Sequence, residues 1–302
     1  MSQTEHLKGI ATFVAVAEAG SFMAAADRLN LTNSAVGKAV ARLEERLGSR
    51  LFDRTTRRLH LTDAGDAYYK VCVRVLEELE AAERVLTADD AVPSGRLRVD
   101  LPATFGRLRA FPALIEFAAV HPQVMPHVSF TDRFVDLVED GVDVVVRIGG
   151  ASAWPATLDH RYLGHEELIF CAAPSYLAAH GAPRSVTELL QHAAVLYGRA
   201  DGSTTSWQVR EGHAPVARQP LQSRIVLGHA EAQVHAVQAG LGVAQLATWL
   251  VAEQIRTGSL VPVLPALATQ GLPLHIVWQH SRAHAPKVQA LIAHFATTLH
   301  IT

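Results

Sequence analysis

Apolar side chains recur at helical spacing along residues 6–19, with Leu7, Ile10, Val14 and Ala17 on one face, and predict an opening helix. Ser21 suits the cap of a short second helix with Ala24, Ala25 and Leu29 on its apolar face, and Asn30 breaks it. Thr32 suits the cap of a third helix, with Val36, Val40, Leu43 and Leu47 turned inward. From Leu51 to Thr62 apolar residues alternate with basic ones. Residues 63–88 hold no proline and carry another repeat: Tyr68, Cys72, Val75, Leu79, Ala82 and Leu86 stand four, three, four, three and four apart. That is an a/d heptad seam, which predicts a long dimerisation helix; packing of the same stripe against the opening helix is the other reading. Asp89-Asp90 ends it, and Val92-Pro93-Ser94-Gly95 reads as a linker. From Arg96 the pattern becomes β-α alternation. Strands are expected at Leu97–Leu101, Val128–Phe130, Val142–Ile148 and Leu168–Ala172, and helical runs at 105–120, 131–139 and 230–240. Mostly parallel sheets flanked by helices follow.

A helix, a tight turn and a second helix with a small polar start is a layout that enters a DNA major groove, and the alternating segment after Gly48 fits a wing along the phosphates. The charge agrees. The whole chain carries −2, yet residues 33–62 hold seven basic side chains (Lys38, Arg42, Arg46, Arg50, Arg54, Arg57 and Arg58) against Glu44, Glu45 and Asp53, a surplus of four. Base reading is expected from Asn33, Ser34, Gly37 and Lys38, behind the cap Thr32; Asn pairs bidentately with adenine and Lys donates to guanine. Arg42 lies one turn further on. Arg54, Thr55, Arg57 and Arg58 suit phosphate or minor-groove contacts, though any one of them can be a plain solvated residue. Gly37 costs a helix about 1 kcal/mol relative to alanine; close approach of backbone to DNA would explain it, as would an accident of lineage.

The remaining features exclude more than they assert. At 302 residues the chain has room for two or three domains. No apolar run approaches the roughly 20 residues a bilayer needs, and the N-terminus shows no signal core, so no membrane role is expected. Cys72 and Cys171 make no disulfide framework and suit a reducing cytoplasm. Enzyme readings fare badly. Sixteen histidines include no His-Glu-x-x-His, and His280 with His284 is a lone pair, so neither a metal nor another cofactor is expected. Gly202-Ser203-Thr204 lacks the nucleophile elbow, and Gly240-Leu-Gly-Val follows a helix, which is wrong for a dinucleotide loop.

The head resembles that of the LysR-type transcriptional regulators, and the resemblance runs on through nearly the whole chain. Pro102-Ala-Thr104-Phe-Gly106, Phe117 with His121-Pro122, the run Asp132 to Gly149, Ala173-Pro-Ser-Tyr-Leu177, Gly240-Leu-Gly242 and Leu272-Pro-Leu274 stand in that family's order. The resemblance implies an α/β chain with an N-terminal all-α winged helix-turn-helix head at 1–62. A long linker helix and hinge follow at 63–92, then a two-lobed, periplasmic-binding-protein-like effector domain at 93–302. Lobe I is 93–163 with 269–302 and lobe II is 164–268. At Asn33, Ser34, Gly37 and Lys38 the family's commonest residues are Gln, Pro, Ser and Arg, so the operator sequence is left open.

In a two-lobed sensor, ligands sit beyond the carboxyl ends of the strands, at helix starts. That places Thr104, Asp132, Arg147 and His229 around the effector, with a small carboxylate, aromatic or hydroxy acid, as the expected class. Thr104 and Asp132 serve equally well as simple caps, Arg147 as an ion-pair partner of Asp143 or Asp132, and His229 as a cap. The resemblance further implies a cytoplasmic bacterial regulator of double-stranded DNA, a homodimer assembling to a homotetramer, and contact with RNA polymerase if it activates. A free solute-binding protein and an effector-independent repressor are the competing readings.

Overall fold

The computed structural model describes residues 9–54, 59–87, 92–133, 135–150, 154–199, 201–209, 217–219, 221 and 223–301, with backbone only for 54, 77, 78, 80–87 and 217–219. The chain divides into two compact units, Met1–Ala91 and Val92–Thr302.

The first unit is built from α1 (Ile10–Ala19), α2 (Phe22–Leu29) and α3 (Asn33–Leu47), a two-stranded wing of β1 (Phe52–Arg54) and β2 (Leu59–Leu61), and α4 (Asp63–Thr87). The caps act as their residue types dictate. Ser21 Oγ accepts from the Ala24 amide at 3.1 Å and Thr32 Oγ1 from the Ala35 amide at 3.2 Å. Asn30 ends α2 in the left-handed region (φ 53°), and Gly48 ends α3 likewise (φ 63°). Glu44 Oε1 then accepts from the Leu51 and Phe52 amides, tying the wing to the end of α3. The core gathers Phe13, Val36, Val40, Leu43, Leu51 and Phe52, with the Phe13 ring 5.4 Å from Phe52. Leu47, expected inward, is 37% exposed.

The long helix forms as expected, but half of its seam has another use. Cys72 is 1% exposed in the core of this same unit, beside Val73, and the Tyr68 ring lies 5.6 Å from Phe13. Apolar residues at this spacing bury against whatever is nearest. Tyr68 and Cys72 therefore belong to the head and not to a dimer seam. Val75 is half-buried and Leu79 exposed, as is Val71; the side chains of Ala82 and Leu86 lie outside the described residues. Helix and wing meet at Gly65, where an added Cβ would lie 2.0 Å from the Leu51 carbonyl oxygen.

The second unit continues with β3 (Gly95–Leu101), a helical segment of α5 (Ala103–Phe105), a π-turn (Gly106–Ala110) and α6 (Phe111–Val120), then β4 (Val124–Phe130), β5 (Val144–Ile148) and the long β6 (Leu158–Ala172). After α7 (Pro174–His180) and α8 (Val186–Leu189) come β7 (Ala194–Tyr197), β8 (Trp207–Val209), β9 (Ala217–Gln219) and β10 (Ser223–Leu227). The last run is α9 (Ala230–Gln238), β11 (Ala244–Ala247), α10 (Thr248–Thr257), β12 (Val261–Val263), β13 (Thr269–Gln279) and α11 (Pro286–Thr298). The main sheet runs β11-β6-β13-β5-β3-β4, with β12 also on β6.

Pairing corrects the expectation of mostly parallel sheets. β3 is parallel to β4 and β5, and β7 to β10, but every pairing of β6 and β13 is antiparallel. The reason is topological. β6 leaves the half of the sheet holding β3, β4 and β5, β13 returns to it, and two such strands side by side must run in opposite directions. The helix expected at 131–139 is also absent from the described residues there, which form turns. Asp136 Oδ1 takes the amides of Val138 and Glu139, an arrangement in which a short polar side chain competes with helical bonding.

Both cysteines are free and buried, and burial pushes the Cys171 thiol up to about 12. Gly65→Ala should destabilise the head by roughly 2 kcal/mol or more, because the clash is with backbone. Thermal unfolding of the full chain checks this, and an unchanged melting temperature would remove Gly65 from the helix–wing seam.

Candidate nucleic-acid interface and interlobe cleft

On α3 the sequence separates two faces. Val36, Val40 and Leu43 are buried, while Asn33, Ser34, Lys38 and Arg42 are exposed, as is the cap Thr32. Among the described residues neither Lys38 nor Arg42 has an ion-pair partner, so both charges face solvent. The strands of the wing pair antiparallel in the register Phe52↔Leu61, Asp53↔His60 and Arg54↔Leu59. Thr55, Arg57 and Arg58, and the Arg54 side chain, lie outside the described residues. The exposed polar face of a capped helix, beside a two-stranded wing, suits a major groove.

The residues expected around the effector begin where β3 ends. Gly106 allows the helical segment to sit on the strand it follows, since a Cβ there would meet Leu101 Cβ at 2.6 Å. Asp132 Oδ1 accepts from the Ala103 amide at 2.9 Å and caps this segment. Thr104 is 4% exposed and its hydroxyl has no partner among the described residues. Arg147 is corrected as an effector clamp. Its guanidinium is 2.8 Å from Asp100 Oδ1, and it donates to the carbonyls of Thr131 at 3.1 Å and Arg133 at 2.9 Å. Neither suggested acid is its partner: Asp132 caps Ala103, and Asp143 pairs with Arg282. Asp100 is raised from the ordinary carboxylate range, first by burial, against the Ser129 hydrogen bond and the Arg147 charge.

The opposite wall comes from β7 and α9. The Tyr197 hydroxyl is raised by burial and then by the negative charge of Asp132, with Arg199 opposing. His229 precedes α9 without capping it through its side chain, and its Nδ1 is 4.0 Å from Glu231. Arg107, just after α5, pairs with Glu231 and joins the two walls. Trp249 on α10 makes a second join. Its indole meets the Phe105 ring edge-on at 5.1 Å and donates to Glu166 at 2.9 Å, while Glu166 also accepts from the Leu272 amide. Tyr197, Arg199 and Trp249 escaped sequence reasoning. Nothing in their local pattern marks them, because only the fold sets Trp249 against Phe105 and Glu166 and brings β7 across from Asp132.

Two family models match. One, described as a bacterial regulatory helix-turn-helix protein of the lysR family, covers residues 7–66; the other, described as a LysR substrate binding domain, covers residues 90–299. An HTH-type transcriptional repressor of Pseudomonas aeruginosa is 34% identical, over 95% of this chain and 90% of that protein. The HTH-type transcriptional regulator DmlR of Escherichia coli is 34% identical, over 88% of this chain and 85% of that protein. The solved structure of CrgA, a LysR-type transcriptional regulator from Neisseria meningitidis, has a TM-score of 0.59 at 30% identity and covers 98% of each chain.

The Asp100–Arg147 pair is buried, with side chains 2% and 13% exposed, so removing the cation strands an anion. Arg147→Ala should lower stability by about 3 kcal/mol at pH 7. The Asp100 shift is upward, so its penalty is absent below the ordinary carboxylate range and grows as pH rises through the folded value. The loss should therefore be smaller at pH 4 than at pH 7, and Asp100→Asn should recover much of it. Denaturant unfolding of the single and double variants checks the sign; equal losses at both pH values would contradict it.

Proposed function

Because the chain belongs to the LysR family of bacterial transcriptional regulators, we propose that it reads double-stranded DNA through α3 and adjusts that binding to a small organic acid held between its lobes. The reading rests above all on the exposed start of α3, where Asn33, Ser34, Lys38 and Arg42 stand over a fully buried opposite face. Thr32 and the arginines of the wing, Arg54, Arg57 and Arg58, together with Thr55, would then fix the register on phosphates.

The acid is placed differently from the sequence expectation. The amide at Ala103 is already satisfied by Asp132 and Arg147 is spent on Asp100, so the first wall offers an acceptor, Asp132, and the hydroxyl of Thr104. The donors that remain are on the second wall, at Arg199, Tyr197 and His229. An acid carrying a second polar group, a hydroxy or amino acid, satisfies both walls: its carboxylate meets Arg199 and its hydroxyl or ammonium meets Asp132. The lobe boundaries near 164 and 268 fit the bend at Gly164, whose φ is 135°, and the irregular pairing between Gln270 and Pro273.

Assembly is proposed as a homodimer through the outer turns of α4, now from Val71, Val75 and Leu79 onward, with pairing of sensor domains to a homotetramer. Work on the chromosome places the protein in the cytoplasm, and activation would add RNA polymerase as a partner.

Gel-shift titrations on duplexes flanking its own gene test the DNA reading. Lys38→Ala should lose roughly tenfold in discrimination over scrambled duplex, and undiminished discrimination would displace α3 as the reading helix. Calorimetry with lactate, tartrate and salicylate tests the cleft. Arg199→Ala should weaken the best of them about tenfold or more; acid binding indifferent to Arg199, or tighter binding of simple amines, would overturn the pocket.

A further inference from the structure

Each described glycine of the head except one has a reason inside the fold. Gly9, Gly20 and Gly48 hold φ angles of 85°, 65° and 63°, and Gly65 has the Leu51 carbonyl against it. Gly37 has neither: it lies within α3 with ordinary helical backbone, and a Cβ built on it finds no heavy atom within 4 Å. A glycine inside a helix weakens it relative to alanine, so the free protein would be better served by a methyl group there. Its place on the helix narrows the explanation. Asn33 and Ala41, four residues before and after, share its stripe, with exposed Ser34, Lys38 and Arg42 around it and buried Val36, Val40 and Leu43 behind. The bare backbone at Gly37 therefore faces open space on the surface assigned to DNA.

We propose that Gly37 is the point of closest approach between α3 and the duplex, and that the group it admits is the 5-methyl of a thymine. The inference rests on α3 being the base-reading helix. Every other distinguishing group on a base edge of the major groove is a hydrogen-bond donor or acceptor, and Gly37 and Ala41, unlike Asn33 at the head of their stripe, have no polar side chain to meet one. A methyl group needs only contact and room. Gly37 thus sets specificity by exclusion: any side chain there holds the helix off the groove and draws Asn33 and Lys38 away from their bases.

The full-length chain is used first to select a duplex from a random pool. Gly37→Ala and Gly37→Leu are then compared with wild type in thermal unfolding and in affinity for that duplex. Both variants should melt no lower than wild type, Gly37→Ala about 4 °C higher. Gly37→Ala should nevertheless bind the selected duplex roughly tenfold more weakly, and Gly37→Leu more weakly still, with scrambled duplex bound as before. Replacing thymines one at a time by deoxyuridine should restore Gly37→Ala at a single position of the recognised sequence. Full affinity in Gly37→Ala overturns the close approach, and a loss that no deoxyuridine recovers overturns the assignment to a methyl. A wild-type chain that selects no duplex refutes the reading of α3 itself, a result distinct from both.

Discussion

At the end of β3 the backbone passes from strand to helix across a single residue, Pro102, and the amides of the first helical turn have no partners within the helix. Asp132 supplies one at Ala103, placing a carboxylate where the helix dipole is positive. That placement shapes the rest of the cleft. With a negative charge already at the helix start, the amide that would otherwise be open to an anion there is taken. The charge on Asp100, buried behind it, draws Arg147 inward and takes that cation out of reach of a ligand. What the first wall keeps is an acceptor and an unpartnered hydroxyl, at Asp132 and Thr104.

The walls are not independent. Arg107 with Glu231, and Trp249 with Phe105 and Glu166, tie the start of the helical segment to α9 and α10. The exposed ion pair is weak in water, about 0–1 kcal/mol. Trp249 is the stronger join, because its ring is buried and its indole satisfies a carboxylate raised by burial. Thr104 is joined to Trp249 through its neighbour Phe105, whose ring meets the indole edge-on. In the head the corresponding economy is in α4, whose first turns complete the core through Tyr68, Cys72 and Val73 while Val71 and Leu79 stay exposed.

The head was legible from its sequence because capping residues and period speak for the same elements: Ser21, Asn30 and Thr32 act where the pattern says they should. The heptad seam misled for a physical reason. Burial is non-directional, and spacing alone does not say whether Tyr68 and Cys72 face a partner or Phe13. In the sensor, β3 and β5 were readable as apolar runs, but β6 was seen only at its end. Its first half carries Asp159, His160, Arg161 and His165 and buries little, so no alternation marks it as a strand. Arg147 was found and its partner missed, since Asp100 reaches it only through the order of strands. Tyr197 and Arg199 carry no local signature at all.

The central claim is that occupancy of the cleft changes what the head does on DNA. Titrating the selected duplex with the full-length chain, with and without a saturating acid shown by calorimetry to bind, tests it most directly. The account predicts that the DNA dissociation constant shifts at least about threefold with the acid present, within the usual coupling range of 1–3 kcal/mol or just below it. It also predicts that the shift disappears in Arg199→Ala, whose DNA binding without acid is unchanged. Identical isotherms with the acid demonstrably bound would contradict it.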